Sequence, residues 1–200
     1  MNARVDHAVT SGTFSLDGET FDVDNNVWVI GDDDACYVVD APHDVDAILG
    51  AVGGRRVLAV LCTHGHDDHV RYAPELGRRV DAPVLLHPDD LPVWRLTHDA
   101  DPDGPLADGQ TFEVGGTTLT VLHTPGHSPG SVCLVAPDLG AVFTGDTLFE
   151  GGPGATGRSF SSHDVIVASI RERLFALPDD TVVHTGHGPD TTIGAEKGNV

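Results

Sequence analysis

A four-layer α/β sandwich of two mixed sheets, face to face with helices on both outer surfaces, is the fold this sequence predicts. Three observations lead there. The 200 residues include 40% apolar side chains, enough for one domain with a sizeable core. Each half of the chain repeats the same order, a set of short strand-like segments followed by a helical period. Two sheets that each need both faces covered are satisfied by packing on one another and under helices.

The elements follow in order. Residues 5–16 read as a strand, Asp17-Gly18 as a turn, and Asn25-Asn26 as further turn residues leading into the strand Val27-Trp28-Val29-Ile30. Asp32-Asp33-Asp34 is expected to be a solvated hairpin turn before the strand 35–39, which ends at Asp40. Asp44 suits a helix N-cap, Val45, Ile48, Leu49 and Val52 keep helical spacing, and Gly53-Gly54 stops the helix. The apolar run 57–62 is a buried strand. Pro74 opens a helix to Arg79, residues 84–87 form a strand, and 88–96 a short helix with Leu91, Trp94 and Leu96 toward the core. Residues 99–109, rich in Asp, Pro and Gly, are a connecting loop. Strands at 110–114, 117–123, 132–136 and 141–144 give the second sheet. Ser161 is expected to cap a long helix, with Asp164 three residues on, burying Ile166, Ile170, Leu174 and Leu177 up to Pro178. Residues 181–184 form the last strand.

Composition restricts partners. Thirty-one acidic against 11 basic groups give a formal charge of -20, with 25 Asp and a single lysine, Lys197. Such a surface repels nucleic-acid phosphates and anionic membranes, so neither is an expected partner and a small-molecule substrate is. The three cysteines, Cys36, Cys62 and Cys133, fall in apolar runs and read as buried reduced thiols. The N-terminus lacks an apolar signal region and no run reaches the ~18 apolar residues of a membrane span, so a soluble cytoplasmic protein is expected.

The chemistry is concentrated in His64-Gly65-His66-Asp67-Asp68-His69, where the strand 57–62 ends. His64 and His66 share a side only in extended chain, so these ligands belong to a turn at a strand's C-terminal edge. Imidazole nitrogen with carboxylate oxygen suits zinc, iron or manganese better than calcium. Three more residues take the same kind of position, each on a Gly-bounded turn after a strand: His127 in Pro125-Gly126-His127, Asp146 in Thr144-Gly145-Asp146, and His187 in Gly186-His187-Gly188. Together they make five His and two Asp, enough for two metal ions. Asp40 is placed to orient a ligating imidazole from behind. His87 and His98 have no partner at ligand spacing and read as structural.

With these motifs in this order, the sequence resembles the metallo-β-lactamase superfamily and, within it, the glyoxalase II-like hydrolases. The resemblance covers the chain from Asp40 to the Gly-His-Gly turn. It implies an αββα sandwich with the site at one edge of the facing sheets. It also implies two divalent ions, zinc first with iron or manganese as alternatives: His64, His66 and His127 on one, Asp68, His69 and His187 on the other, Asp146 bridging. Two such cations against Asp68 and Asp146 leave a net positive site, and metals bring hydroxide within reach of neutral pH. The expected reaction is attack of a metal-bridging hydroxide on a thioester carbonyl, with Asp68 and Asp146 as the catalytic carboxylates. True β-lactamases of this pattern lack the bridging aspartate, which makes antibiotic hydrolysis an unexpected activity. The glyoxalase II enzymes that hold glutathione carry a helical C-terminal domain, and residues 1–200 are read as a single domain without it. The expected substrate is therefore an acylated or hydroxymethylated low-molecular-weight thiol. The segment 149–160 resembles the glycine-rich loop that carries a basic contact in thiol-handling members, which singles out Arg158, with Arg71 behind it, as a substrate contact. Three rival expectations remain: a persulfide dioxygenase with one iron on His64, His127 and Asp146, a lactonase, and a metal-binding module without catalysis.

Overall fold

The computed structural model describes residues 2–200. The first sheet runs in the order β1 (Arg4–Leu16), β2 (Glu19–Gly31), β3 (Ala35–Val39), β4 (Arg56–Leu61), β5 (Val84–Leu86) and β6 (Gly104–Pro105). The first three strands are antiparallel and the last pairs parallel, so the sheet is mixed. The second sheet is built from β7 (Thr111–Val114), β8 (Thr117–His123), β9 (Val132–Ala136) and β10 (Ala141–Gly145). A small hairpin, β11 (Leu148–Phe149) with β12 (Gly152–Pro153), stands beside it. β13 (Val182–Thr185) and β14 (Thr191–Thr192) complete it in the order β14-β13-β10-β9-β8-β7, with β10 and β13 parallel.

Two-residue periodicity sorts the core into three layers. In β3, Cys36 and Val38 face outward under helices while Tyr37 and Val39 face the other sheet. In β9, Val132, Leu134 and Ala136 meet that inner face and Cys133 and Val135 point to the opposite outside. A bulge where β4 pairs with β3 lets Val57 and Val60, three apart, share the outer face. Helices α1 (Val45–Val52), α2 (Asp67–Val70), α3 (Ala73–Val80) and α4 (Leu91–Trp94) belong to the first sheet's side. α5 (His163–Ser169) and α6 (Ile193–Glu196) cover the second. This is the αββα sandwich. No helix of the described residues is long and apolar enough to cross a membrane, and all three cysteines are buried and free.

Most element boundaries agree with the sequence reading, down to Asp44 accepting from the N–H groups of Asp46 and Ala47 and Gly53 closing α1 in the left-handed region. Four places differ. Asn25 and Asn26 are not a turn but the middle of a 13-residue strand, buried and hydrogen-bonded across to other elements. Asp68 and His69 lie on the short helix α2 rather than in a turn, because the acidic pair Asp67-Asp68 occupies its first turn. The connecting loop contains β6, which pairs with β5. Ser161 does not cap the last helix: its hydroxyl accepts from Gly157 N–H and donates to Arg158 C=O, Ser162 takes the cap position, and after Ser169 the helix widens into a π turn at Ile170–Leu174.

Candidate metal centre

Parallel strands deliver chain ends to one rim, and the polar residues singled out above collect there. His64 and His66 follow β4, Asp68 and His69 open α2, His127 lies between β8 and β9, Asp146 follows β10 and His187 follows β13. Close approach is built into the backbone at Gly186, where any Cβ would stand 2.3 Å from Asp146 Oδ1 and 2.9 Å from His69 Cε1.

The outward-facing imidazole nitrogens fix which atoms face inward. His69 Nδ1 meets Asp40 Oδ2 at 2.8 Å, His127 Nδ1 meets Ala155 C=O at 2.9 Å, and His187 Nδ1 meets Asp24 C=O at 2.7 Å. These partners only accept, so each Nδ1 carries a proton and Nε2 is the nitrogen left to offer a lone pair once the ring is neutral. Thr63 Oγ1 donates to Asp40 at 2.8 Å and thus accepts from His64 Nδ1 at 3.0 Å, leaving His64 Nε2 unprotonated as well. Asp40 therefore supports two imidazoles, one directly and one through Thr63. It also accepts the Thr63 N–H at 2.7 Å from a left-handed backbone, φ 63°, that aspartate tolerates better than most residues.

The inward atoms form two sets. His64, His66 and His127 bring one ligand atom each within 4.8 Å of the others, and so do Asp68, His69 and His187. His66 Nδ1 and His127 Nε2 are 3.0 Å apart. In the second set His69 Nε2 and His187 Nε2 lie 3.2 Å apart, with Asp68 Oδ2 at 3.6 and 3.2 Å from them. Asp146 stands between the sets, 3.2 Å from His69, 3.4 Å from His187 and 3.6 Å from His127. His64 Nε2 and Asp146 Oδ1 are buried without any hydrogen-bond partner. Buried imidazole nitrogens and carboxylates converging in two sets fit divalent cations bound by nitrogen and oxygen.

Electrostatics agree. Burial, with His69 and His66 nearby, holds His64 well below the usual imidazole range, and burial beside His127 takes His66 down to about 3, so both stay neutral ligands. Burial alone would lower His187 too, but Asp146 and Asp68 push it up to about 10. His69 is raised well above its ordinary value by the same carboxylates against its own burial. Burial disfavours the charged forms of Asp68 and Asp146, yet the cationic forms of His69 and His187 hold both acids below the carboxylate range. Positive charge is what this pocket is built to receive, from protons or from metal.

Two supports escaped the sequence reading. Asp90, fully buried, accepts from Gly65 N–H at 2.6 Å, Gly130 N–H at 2.5 Å and Ser128 Oγ at 2.7 Å, and so ties the loop of His64 to the loop of His127. Asn25 reaches the second set from β2, and His43 Nε2 lies 2.8 Å from its Oδ1. The signal for Asn25 was an amide next to an apolar strand, which reads equally well as a turn.

The two arginines expected at the substrate are engaged with protein groups. Arg71 pairs with Asp67 and donates to Thr13 C=O at 2.9 Å, fastening α2 to β1. Arg158 pairs with Glu19 at 2.6 Å and lies over the Phe21 ring. His98 meets Val70 C=O at 2.9 Å, as a structural histidine does. His87 has partners its spacing did not disclose: it stacks on His123 at 4.1 Å, and one ligand atom each of His87, Asp89 and His123 lie within 4.8 Å of one another, a partly exposed cluster apart from the two sets above.

The sequence profile of the Metallo-beta-lactamase superfamily matches residues 20–187, a span that contains all seven converging residues. The chain belongs to this superfamily. Among its relatives, the probable metallo-hydrolase YqgX of Bacillus subtilis (strain 168) is 33% identical over 190 residues, covering 86% of this chain and 89% of the relative. A hydroxyacylglutathione hydrolase of Aliivibrio fischeri (strain MJ11) is 34% identical over 167 residues, covering 82% of this chain and 62% of the relative. The crystal structure of TTHA1623 in a di-iron-bound form superposes with a TM-score of 0.75 at 33% identity, over 95% of this chain and 98% of that one. The chain thus shares the metallo-beta-lactamase fold with these proteins and carries His/Asp clusters of metal-binding type of its own.

Proposed function

We propose that this superfamily member is a two-metal hydrolase of thioesters formed by low-molecular-weight thiols. The observation that carries this reading is the pair of ligand sets with Asp146 between them. His64, His66 and His127 would hold one ion, Asp68, His69 and His187 the other, and Asp146 would contact both. Bound there, divalent ions supply Lewis acidity toward a carbonyl oxygen and make hydroxide available near neutral pH.

The chain's own residues supply the rest. Asp68 and Asp146 offset part of the metal charge, and Asp68 is placed to accept and orient a proton of the attacking water. Phe14 lies edge-on to His66 with ring centres 5.2 Å apart, and Phe149 lies 6.2 Å from His187, so aromatic walls flank the opening. Across it, Ser159 N–H donates to Asp17 at 2.9 Å and Arg158 pairs with Glu19, which joins the β1–β2 tip to the glycine-rich loop as a rim. Apolar walls suit an acyl chain, and the rim's basic group suits an anionic thiol carrier once Glu19 yields it. The likeness to a hydroxyacylglutathione hydrolase supports the thioester class, with the carrier left to experiment. A one-iron dioxygenase would leave Asp68, His69 and His187 converging for no purpose, and the two-ion form of TTHA1623 favours the same choice.

The test is a panel of acyl thioesters built on several thiols, with lactones alongside, assayed on metal-loaded protein. Thioester turnover that disappears in Asp68→Ala while metal stays bound supports the reading. Turnover of lactones alone, or of none of the panel, overturns it.

A further inference from the structure

The second ligand set has a corner that the seven His and Asp residues do not account for. The side-chain amide of Asn25 reaches it from β2, and its terminal atom lies 3.1 Å from Asp68 Oδ2, 3.3 Å from His69 Nε2 and 3.4 Å from His187 Nε2. The other three edges are 3.2, 3.2 and 3.6 Å. All six edges of the figure are therefore close to equal. The centre of such a tetrahedron is about 2.0 Å from each corner, the length of a bond from zinc to nitrogen or oxygen. Three of the corners are already metal-ligand atoms by chemistry.

We propose that Asn25 is an additional protein ligand of the second ion, binding through its side-chain carbonyl oxygen, with His43 holding the amide in place. The inference rests on the two-ion reading above and adds a residue to it. A carboxamide has nearly the same shape in its two flipped states, and its orientation follows its neighbours. With Nδ2 inward, its hydrogens face the lone pairs of Asp68, His69 and His187. A cation at the centre repels those hydrogens and attracts the carbonyl. The flipped amide then donates Nδ2–H to His43 Nε2 across the 2.8 Å contact.

His43 is seated for this purpose. Its ring lies where a side chain at residue 12 would stand: a Cβ on Gly12 would come within 2.3 Å of His43 Nδ1. That nitrogen is buried with no hydrogen-bond partner, so Asn25 is the polar contact that gives the ring its orientation. Gly12, His43 and Asn25 form a line from β1 to the second ion. The consequence concerns the division of labour. With Asp146 counted for both, the second ion would have five protein ligands, Asn25, Asp68, His69, His187 and Asp146, and the first ion four, so the first keeps the less crowded coordination and more room for substrate.

The test uses the purified full chain loaded with cobalt(II), read by stepwise chelator competition and by the visible absorption of the second-site ion. Asn25→Ala is expected to weaken the second ion about 10- to 100-fold, leave the first unchanged and alter the second-site spectrum. Asn25→Asp, which places an anionic oxygen at the same corner, is expected to hold the second ion at least as tightly as the natural chain. His43→Ala is expected to weaken it less than Asn25→Ala. Asn25→Ala with unchanged second-ion affinity and spectrum overturns the proposal. So does Asn25→Asp that loses the ion as Ala does, since that marks Asn25 as an N–H donor to Asp68. Two ions in the natural chain with indifferent variants sinks this inference alone, whereas a natural chain that takes one ion sinks the two-ion reading with it.

Discussion

Asp40 illustrates how one side chain governs a metal site that it does not touch. Its carboxylate takes the His69 Nδ1 proton directly and the His64 Nδ1 proton by way of Thr63, so two Nε2 lone pairs owe their direction to it. Asp40→Asn replaces an acceptor by an amide that can present N–H to His69 Nδ1, disturbing both tautomer and ring angle. The expected result is a loss of about 10- to 100-fold in affinity for the ion on His69, measured by chelator competition. This role was legible from the strand-end position of Asp40 beside the histidine cluster. The roles of Asn25 and Asp90 were not, because an amide in a strand and an acid in a short helix become functional only through neighbours distant in the chain. Arg158 was legible as a rare basic group but not as the partner of Glu19, since nothing local specifies a pairing across 139 positions.

Among elements, the loops that end parallel strands do the positioning, and they are clamped to each other rather than held singly. Asp90 joins the His64 loop to the His127 loop through three hydrogen bonds in a fully buried place. Asp90→Ala leaves two buried backbone N–H groups, of Gly65 and Gly130, unsatisfied and Ser128 with Ser131 as its remaining partner, and a loss of about 3 kcal/mol in unfolding free energy is expected from urea titration of the metal-free protein. Asp90→Asn, which can accept at one oxygen only, should fall between. The strands themselves were readable because their two-residue alternation is set by burial on each face: β3 and β9 show it without exception. β2 hid its length, because Asp22, Asp24, Asn25 and Asn26 break the apolar pattern in a strand whose first half leaves the core. The π turn after α5 has no local sequence sign that we can identify.

For the whole molecule, the αββα layering and the net charge of -20 create an acidic surface around a pocket that demands cations. In the metal-free protein that demand is met by protons. Because Asp146 and Asp68 raise His187 to about 10 from 6.5, its proton stabilises the metal-free fold fully below pH 6.5, and that contribution is lost as pH rises through about 10. Metal replaces the proton and needs the deprotonated ring. The melting temperature of the metal-loaded protein should therefore exceed that of the metal-free protein by a margin that grows from pH 6.5 toward 10. A constant margin, by differential scanning fluorimetry, would argue that His187 is not a ligand.

The central claim is two ions in one pocket, sharing Asp146. Elemental analysis of the purified protein, scaled to protein concentration, tests it most directly. Two divalent ions per chain, falling to one in His187→Ala, is the result expected here. One iron per chain, unchanged in His187→Ala and accompanied by oxygen consumption on a persulfide, would contradict it.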